Sequence, residues 1–201
     1  MTKNIKKINF MDPNIPSKSK KSNEVFQYIP NSKIPLPSEV EISESGTCNR
    51  KCSFCPRSDP EYEDIKEFIS NDLHLKLCLE LSKVNFSGTI RYSGFVEPLL
   101  DKNIFNLIKI AKTHNPNSNI EMVTNGDVLN KSRLEKLFHS GLNKLLISVY
   151  DGPEDAEKLL YVLSQGLANI ATNNAILTSG SALVVLGPKH ASVLERSNIS
   201  R

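Results

Sequence analysis

Three of the four cysteines lie within eight residues of one another, at Cys48, Cys52 and Cys55. Their C-x3-C-x2-C spacing follows a strand-like segment. Three thiolates at this spacing can hold three irons of a 4Fe-4S cluster and leave the fourth iron without a protein ligand. An iron that is open in this way can bind and reduce a small molecule, whereas a cluster held by four thiolates mostly carries electrons. The spacing therefore predicts redox chemistry on a bound cofactor.

Two alternative roles of these cysteines stay open, a structural zinc site and an incidental grouping. Zinc usually takes four ligands in paired Cys or Cys/His spacings, whereas the four histidines are scattered singly at His74, His114, His139 and His190. A disulfide would require an oxidising compartment, which nothing in the sequence indicates. The fourth cysteine, Cys78, stands in a leucine-rich stretch, where a free cysteine is typically a small buried hydrophobe.

Length and composition set the outer bounds. A chain of 201 residues is one domain by default, with a core large enough to fold without disulfides or metals. The sequence contains no run of about 18 apolar residues, so we expect no membrane span. It opens Met-Thr-Lys-Asn-Ile-Lys-Lys, without the apolar core of a signal peptide. We therefore expect a cytoplasmic protein.

The net charge of +3 belongs to one end of the chain. Residues 1–22 contain six lysines and one aspartate, so the remainder is slightly acidic. Residues 1–37 are also rich in Asn, Ser and Pro, which opposes regular structure. We predict a basic, disordered arm over 1–37 and a folded domain over 38–201. A nucleic-acid binder that uses this arm is one alternative, but a basic tail alone does not make nucleic acid the expected partner.

Short apolar runs alternate with helical patterns between residues 38 and 157. Strand-like runs, rich in β-branched and aromatic residues, lie at 40–42, 89–92, 120–124 and 145–150. Apolar residues with helical spacing lie between them, at 104–111 and 134–138. This β-α-β-α order predicts an α/β fold in which crossover helices join parallel strands.

The leucines at every second position from Leu73 to Leu81 have the period of a strand. Leu and the intervening Lys, Glu and His nevertheless have little strand preference, and Ser70, Asn71 and Asp72 are good helix N-caps. The crossover between the first two strands also needs a helix here. We therefore predict a helix.

No charged residue occurs from Leu159 to Pro188, a stretch dominated by Ala, Leu, Ser, Asn, Thr and Gly. The run Ala182–Leu186 is a candidate for a further buried strand. The change in composition makes residues 159–201 atypical of the domain, and a truncated or altered coding frame would account for it.

Four segments together resemble the radical S-adenosylmethionine (radical SAM) enzymes over residues 38–152. The first is the cysteine motif, with Asn49 after its first cysteine and Phe54 before its last. Residues 93–100, Ser-Gly-Phe-Val-Glu-Pro-Leu-Leu, are similar to the family's Gly-Gly-Glu-Pro segment after the second strand. Thr-Asn-Gly at 124–126 and Ser-Val-Tyr-Asp-Gly-Pro at 148–153 end the third and fourth strands. The likeness is nearest to the subgroup that usually carries a cysteine-rich C-terminal region for auxiliary clusters, and this sequence has no such cysteines.

The resemblance implies a fold, two cofactors and an activity. The fold would be a partial (β/α) barrel with parallel strands, incomplete at its C-terminus because only four strands and the candidate at 182–186 are recognisable. The cofactors would be a 4Fe-4S cluster and S-adenosylmethionine, whose amino and carboxylate groups bind the open iron. Reductive cleavage would yield methionine and a 5′-deoxyadenosyl radical that abstracts hydrogen from a substrate.

The resemblance also assigns cofactor contacts to residues near the cysteines and the second strand. Phe54 would lie near the adenine. The backbone from Gly94 to Pro98 and the carboxylate of Glu97 would meet the ammonium group of the cofactor. Gly94 and Pro98 are also ordinary turn residues, so a purely structural role is the alternative. Val96 stands where a glycine is common in the family, so the backbone there must keep a negative φ.

Two further candidates lie at the ends of later strands. The resemblance makes Asn125 and Ser148 candidates for ribose or carboxylate contacts, because barrel enzymes gather their sites at strand ends. As alternatives, Thr-Asn-Gly is an ordinary turn signal, and a serine in an apolar strand can simply bond to the backbone. Asp151 is predicted to cap a helix.

The substrate and the catalytic residues are not readable from the sequence. The resemblance implies an electron donor such as a flavodoxin or a ferredoxin as a partner. A non-catalytic iron-sulfur or zinc-binding module, as a truncated enzyme would be, is the alternative function.

Overall fold

A computed structural model of the chain describes residues 28–149, 158–159, 161–163, 175–177 and 182–186. Its strands, in chain order, are β1 (Glu39–Ile42), β2 (Ser45–Gly46), β3 (Ile65–Phe68), β4 (Thr89–Tyr92), β5 (Asn119–Thr124), β6 (Lys144–Ser148), β7 (Ala175–Leu177) and β8 (Ala182–Leu186). Its helices are α1 (Asn71–Lys83), α2 (Ile104–His114) and α3 (Lys131–His139).

The main sheet has the order β1-β4-β5-β6-β8-β7. The first four strands are parallel neighbours joined through the three helices. The prediction of an α/β fold with parallel strands and crossover helices is therefore confirmed. Strands β2 and β3, which residues 47–64 connect, pair in a separate antiparallel sheet.

The strand expected at Ala182–Leu186 is present as β8, but it does not continue the parallel pattern. It runs antiparallel to β6, and β7, which sequence reasoning did not place, pairs antiparallel with β8. Only four residues separate β7 from β8. A connection of that length suits a hairpin, whereas parallel pairing needs a crossover of a dozen or more residues.

The leucine-rich segment forms α1, so the predicted helix is confirmed. Ser70 caps it, because its Oγ accepts a hydrogen bond from the N–H of Leu73 at 3.2 Å. Two of its residues, His74 and Cys78, lie one helical turn apart and are fully buried. Leu73 and Leu79 are exposed, because leucines at every second position must spread around a helix. The predicted burial of Cys78 is likewise confirmed.

Alternate residues of the central parallel strands enter the core between the sheet and the helices. The buried strand residues of this core are Ile90, Tyr92, Ile120, Met122, Leu145 and Ile147. Between them, Arg91 of β4 reaches both neighbouring strands, with Nη1 2.6 Å from Glu39 Oε1 and Nη2 2.7 Å from Glu121 Oε2. A one-residue slip would turn these charges into the apolar core, so the alternation holds the register of the strands.

Several sequence predictions fall outside the described residues. Of the arm predicted over 1–37, residues 1–27 lie outside them, and Tyr28 and Pro35 form an isolated antiparallel bridge. The predicted cap at Asp151 also lies outside. Among the helices in the described part of the chain, none is long and apolar enough to cross a membrane.

Two buried groups near the sheet give the fold opposing responses to acid. Burial lowers the pKa of the His74 imidazole to about 4, so acid below about pH 6.5 favours the unfolded chain, which binds the proton. Burial, reinforced by the carboxylates of Asp101 and Glu97, raises the pKa of Glu44 to about 7. Acid below that pH favours the folded chain, which holds the Glu44 proton.

We expect Glu44→Gln to make folding more sensitive to acid. The variant lacks the stabilisation that protonation of Glu44 supplies, while His74 still destabilises the fold as the pH falls. Between pH 7 and pH 5, the free energy of unfolding should fall by about 2 kcal/mol more than in the parent chain. Urea unfolding at both pH values measures this difference. His74→Gln is the matched control and should change in the opposite direction, whereas identical acid responses of parent and Glu44→Gln would contradict the raised pKa of Glu44 in the folded chain.

Candidate functional site

A cavity of about 240 Å³ opens where the parallel strands β4, β5 and β6 end. The residues just at or after these ends, Ser93, Thr124 and Ser148, line it together with the loop that carries Cys48, Cys52 and Cys55, here called the cysteine loop (residues 47–58). Parallel strands place all their carboxyl ends at one edge of the sheet, so segments distant in sequence meet there. The lining residues are Cys48, Arg50, Cys52, Phe54, Cys55, Arg57, Ser93, Gly94, Phe95, Val96, Glu97, Val123, Thr124, Asn125 and Ser148.

The cavity brings together all the sequence-predicted site residues except one. Pro98 does not line it, and this proline is buried at the start of a 3-10 turn, Pro98–Leu100. The predicted negative φ at Val96 is confirmed, since the only non-glycine residues with positive φ in the described segments are Asn31 and Asn85.

The cysteine loop presents three free, partly exposed thiols to the cavity. The N–H of Cys55 donates to the carbonyl of Cys52 at 2.8 Å, and a 3-10 turn, Pro56–Ser58, follows immediately. Two N–H groups approach the Cys48 sulfur, from the Arg50 backbone at 3.4 Å and the Asn125 amide at 4.0 Å. Burial raises the pKa of the Cys48 thiol, and metal binding would offset the cost of a buried thiolate.

This donor set suits a cluster better than a single ion. Among the described residues, no three His, Cys, Asp or Glu side chains converge closely enough to hold one metal ion. In a 4Fe-4S cluster each thiolate binds a different iron, so the three sulfurs need only surround one cavity. The N–H groups near the Cys48 sulfur are also the kind of donors that stabilise sulfur ligands.

Arg57 anchors the cysteine loop to the rest of the site. Its side chain is 2% exposed, and Nη1 donates to the carbonyls of Gly46 at 3.0 Å and Phe95 at 3.1 Å. Nη2 pairs with Asp64, and the guanidinium lies over the ring of Tyr62 at 5.2 Å. One buried cation therefore links β2, the cysteine loop and the loop after β4.

Glu97 joins the loop after β4 to the end of β5. Its Oε1 accepts from the Leu99 N–H at 3.0 Å and from Thr124 Oγ1 at 2.5 Å, and its Oε2 accepts from the Asn125 N–H at 2.7 Å. Its own N–H donates to the carbonyl of Thr47, next to the first cysteine. Burial raises the pKa of Glu97. The carboxylate is thus held by the chain on both oxygens, and its predicted contact with an ammonium group stays a prediction.

A ring of polar contacts, here called the Asp127 clamp, joins the cysteine loop to the turn after β5. It consists of Asn49, Arg50, Asn125 and Asp127. Asp127 Oδ2 accepts from Arg50 Nε at 2.6 Å and from Asn49 Nδ2 at 2.7 Å, and Asp127 Oδ1 pairs with Arg50 Nη2. Asn125 Nδ2 donates to Asn49 Oδ1 at 2.8 Å, and the Asp127 N–H donates to Asn125 Oδ1 at 3.0 Å.

Two aromatic rings form the rim of the cavity. Phe54 is 70% exposed and Phe95 is 55% exposed. Such exposure is unusual for large apolar side chains that line a cavity, and it makes ring surface accessible to a planar, apolar ligand group. Only Phe54 was predicted from the sequence to have this role.

Sequence reasoning missed Arg50, Arg57, Thr124, Phe95 and Asp127. The position of Arg57 could have been used as a signal, because an arginine two residues after the last cysteine must lie close to the site. The other four are ordinary residues of loops and strand ends. The roles of Thr124 and Asp127 arise from partners 27 or more positions away, Glu97 for Thr124 and Arg50 for Asp127.

Gly94 allows the loop after β4 to turn into the cavity. Its φ is +121°, a conformation that side-chain-bearing residues rarely adopt. A Cβ at this position would lie 2.3 Å from the Ser43 Oγ. The glycine therefore serves both the backbone turn and the close approach of the segment after β1.

The chain is similar in sequence to a known protein family and to several characterised proteins. A model of the radical SAM superfamily matches residues 42–167. The chain is 29% identical over 126 residues to the S-adenosyl-L-methionine-dependent 2-deoxy-scyllo-inosamine dehydrogenase of Niallia circulans, covering 63% of this chain and 50% of that protein. It is 30% identical over 141 residues to the GTP 3′,8-cyclase of Aquifex aeolicus, covering 64% and 40% respectively.

A solved structure shares the fold of the matched region. The crystal structure of BtrN in complex with AdoMet and 2-DOIA aligns with a TM-score of 0.59 and 29% sequence identity, covering 65% of this chain and 52% of that one. The chain spans half or less of the length of these curated relatives.

We expect Gly94→Ala to destabilise the fold by strain and by steric overlap together. The backbone conformation alone should cost about 1–3 kcal/mol, and the overlap with Ser43 adds to this. The double variant Ser43→Ala/Gly94→Ala should recover the steric part, because the nearest Ser43 atom would then be its Cβ, 3.4 Å away. Thermal unfolding of the parent, both single variants and the double variant measures the two parts. Ser43→Ala alone also removes the hydrogen bond from Ser43 Oγ to the Ser93 carbonyl, so a double variant whose loss equals the sum of the two single losses would rule out the steric part.

Proposed function

The chain belongs to the radical SAM superfamily, and on that premise we propose that it reductively cleaves S-adenosylmethionine to start a radical reaction on a substrate. The observation that carries the proposal is the cavity itself. Three free thiols at the C-x3-C-x2-C spacing line it together with the loop after β4, the end of β5 and the end of β6. These are the segments that the sequence motifs single out as cofactor contacts.

The superfamily uses a 4Fe-4S cluster and S-adenosylmethionine, and we assign their sites to named residues. Cys48, Cys52 and Cys55 would hold three irons and leave the fourth open toward the cavity. The chemistry that the two cofactors supply is one-electron cleavage of the sulfonium to methionine and a 5′-deoxyadenosyl radical, which takes hydrogen from a substrate. The protein's own contribution is to bind, orient and exclude water.

The side chains around the thiols supply the orientation. The exposed ring of Phe54 offers a face to the adenine. Glu97 fixes the loop after β4 against β5 through Thr124 and the Asn125 backbone, so the peptide groups from Gly94 onward face the cavity in a set arrangement. Those peptide groups, with the remaining acceptor capacity of Glu97, would receive the ammonium group. Polar side chains of Asn125 and Ser148 at the cavity wall would meet the ribose or carboxylate.

The proposal leaves the substrate open. The relatives named above are a dehydrogenase and a cyclase, so what they share is cofactor chemistry rather than one substrate. The electron would come from a donor such as a flavodoxin or a ferredoxin. A cytoplasmic location fits this proposal, because the three ligand thiols must stay reduced to bind iron.

We expect the three loop cysteines, and not Cys78, to hold the iron. Replacement of Cys48, Cys52 or Cys55 by alanine should remove most of the iron and the visible absorbance after anaerobic preparation, because each thiolate binds a separate iron. Cys78→Ala is the matched control and should retain the iron, since Cys78 is a fully buried residue of α1 and does not line the cavity. Stoichiometric zinc without iron or colour in the anaerobic parent would favour the zinc-module alternative instead.

The decisive test of the function is detection of 5′-deoxyadenosine. We expect the reconstituted chain to form it from S-adenosylmethionine after reduction with dithionite, and Cys52→Ala to form none. Chromatography with mass detection measures the product. A chain that holds a full cluster yet forms no 5′-deoxyadenosine would favour the non-catalytic iron-sulfur module.

A further inference from the structure

We propose that Asp127 is a positioning residue for the iron-sulfur cluster, acting through Arg50 and Asn49 on the backbone between the first two cysteine ligands. The inference rests on the proposed function, since it presumes that Cys48 and Cys52 bind iron. Asp127 itself does not line the cavity. Its effect must therefore pass through the Asp127 clamp.

The segment that carries the ligands lacks the support of regular structure. Residues 47–52 belong to no strand or helix. The Thr47 carbonyl accepts a hydrogen bond from the Glu97 N–H, but the residues between Cys48 and Cys52 need further contacts to hold one conformation, because each ordered residue costs about 1–2 kcal/mol of conformational free energy. Asn49 and Arg50 are the side chains that leave this segment and reach a different part of the fold.

The partner that they reach is itself rigidly placed. Asp127 follows Gly126, whose φ of +79° turns the chain at the end of β5. A Cβ on Gly126 would lie 2.8 Å from Leu159 and 2.9 Å from Ile147, so the turn is packed tightly against the core. The Asp127 N–H donates to Asn125, whose own N–H is held by Glu97. The carboxylate thus stands on the same framework as the cavity wall.

The contacts have the geometry of a strong interaction. Arg50 meets Asp127 with two nitrogens on two oxygens, the bidentate arrangement that combines energy with directional control. The side chains are 16% and 28% exposed, so solvent screens the pair less than it would at an open surface. Asn49 uses both ends of its amide, giving to Asp127 and accepting from Asn125. The ring therefore leaves little freedom for the backbone between Cys48 and Cys52.

The Asp127 clamp also sets the surroundings of the first ligand. Asn125 Nδ2 lies 4.0 Å from the Cys48 sulfur while the same nitrogen donates to Asn49. Outer partners of this kind typically change metal affinity by about 10- to 100-fold when they are removed. Loss of the Asp127 carboxylate would release Asn49 and Arg50 together and let the first two ligands move away from the cavity wall.

The test compares loss of iron from the anaerobically loaded full chain to an excess of a ferrous chelator. Asp127→Asn keeps the size of the side chain but removes the charge and one acceptor, and we expect iron to leave roughly 10–100 times faster than from the parent. Asp59→Asn is the matched control, since it removes the same charge four residues after Cys55, from a side chain outside the cavity. It should release iron at the parental rate.

A double-variant cycle separates positioning from general stability. Arg50→Gln should also speed iron loss, and Arg50→Gln/Asp127→Asn should be no faster than the faster single variant, because both changes break one interaction. The electron paramagnetic resonance line shape of the reduced cluster should change in Asp127→Asn, while the melting temperature of the loaded chain should match that of Asp59→Asn.

The outcomes divide cleanly. A parent chain that takes up no iron overturns the proposed function and this inference with it. A parent that holds iron no more firmly than Asp127→Asn, with the same line shape, overturns the inference alone. Multiplying effects in the double variant, or a faster loss that is equal in Asp59→Asn, would also overturn it, because the effect would then come from charge or stability and not from the clamp.

Discussion

The buried carboxylate of Glu97 connects the parts of the site that the chain brings from different strands. It accepts hydrogen bonds from Leu99 in its own loop and from Thr124 and Asn125 at the end of β5. Its backbone N–H reaches Thr47, beside the first cysteine. A buried carboxylate costs free energy unless its oxygens accept hydrogen bonds, so separating these segments would destabilise the fold. These hydrogen bonds therefore help to set the shape of the cavity.

Around Glu97, the two arginines of the cysteine loop attach that loop on opposite sides. Arg57 reaches β2 and the loop after β4, while Arg50 reaches the turn after β5. Arginine suits both positions because its planar group can donate in several directions at once. Side-chain hydrogen bonds thus order this loop, as backbone hydrogen bonds order strands and helices. As a result, its three thiols line one cavity.

Buried charges in the sheet also link separate segments, but there they join neighbouring strands and not loops. Arg91 bridges Glu39 and Glu121 across three neighbouring parallel strands. Such pairs contribute little net stability, because desolvation offsets much of the attraction, but a slipped register would leave them unpaired. The ion pairs of Arg91, away from the cavity, therefore favour one alignment of the strands. Near the cavity, Arg50 and Arg57 hold a loop that strand pairing does not order.

The sequence by itself determined the local features of this protein. The cysteine spacing predicted three candidate metal ligands, which the structure brings to one cavity. Hydrophobic periods identified the first four strands of the main sheet and the helices, and cap residues resolved the leucine-rich segment as α1. These predictions were possible because they depend on neighbours in the chain.

The tertiary structure alone decided which distant residues meet. The antiparallel course of β8, the departure of Pro98 from the cavity, and the pairing of Arg50 with Asp127 depend on strand order and loop closure. No local pattern encodes a contact between residues 77 positions apart, because such a contact exists only after parallel strands have aligned their ends.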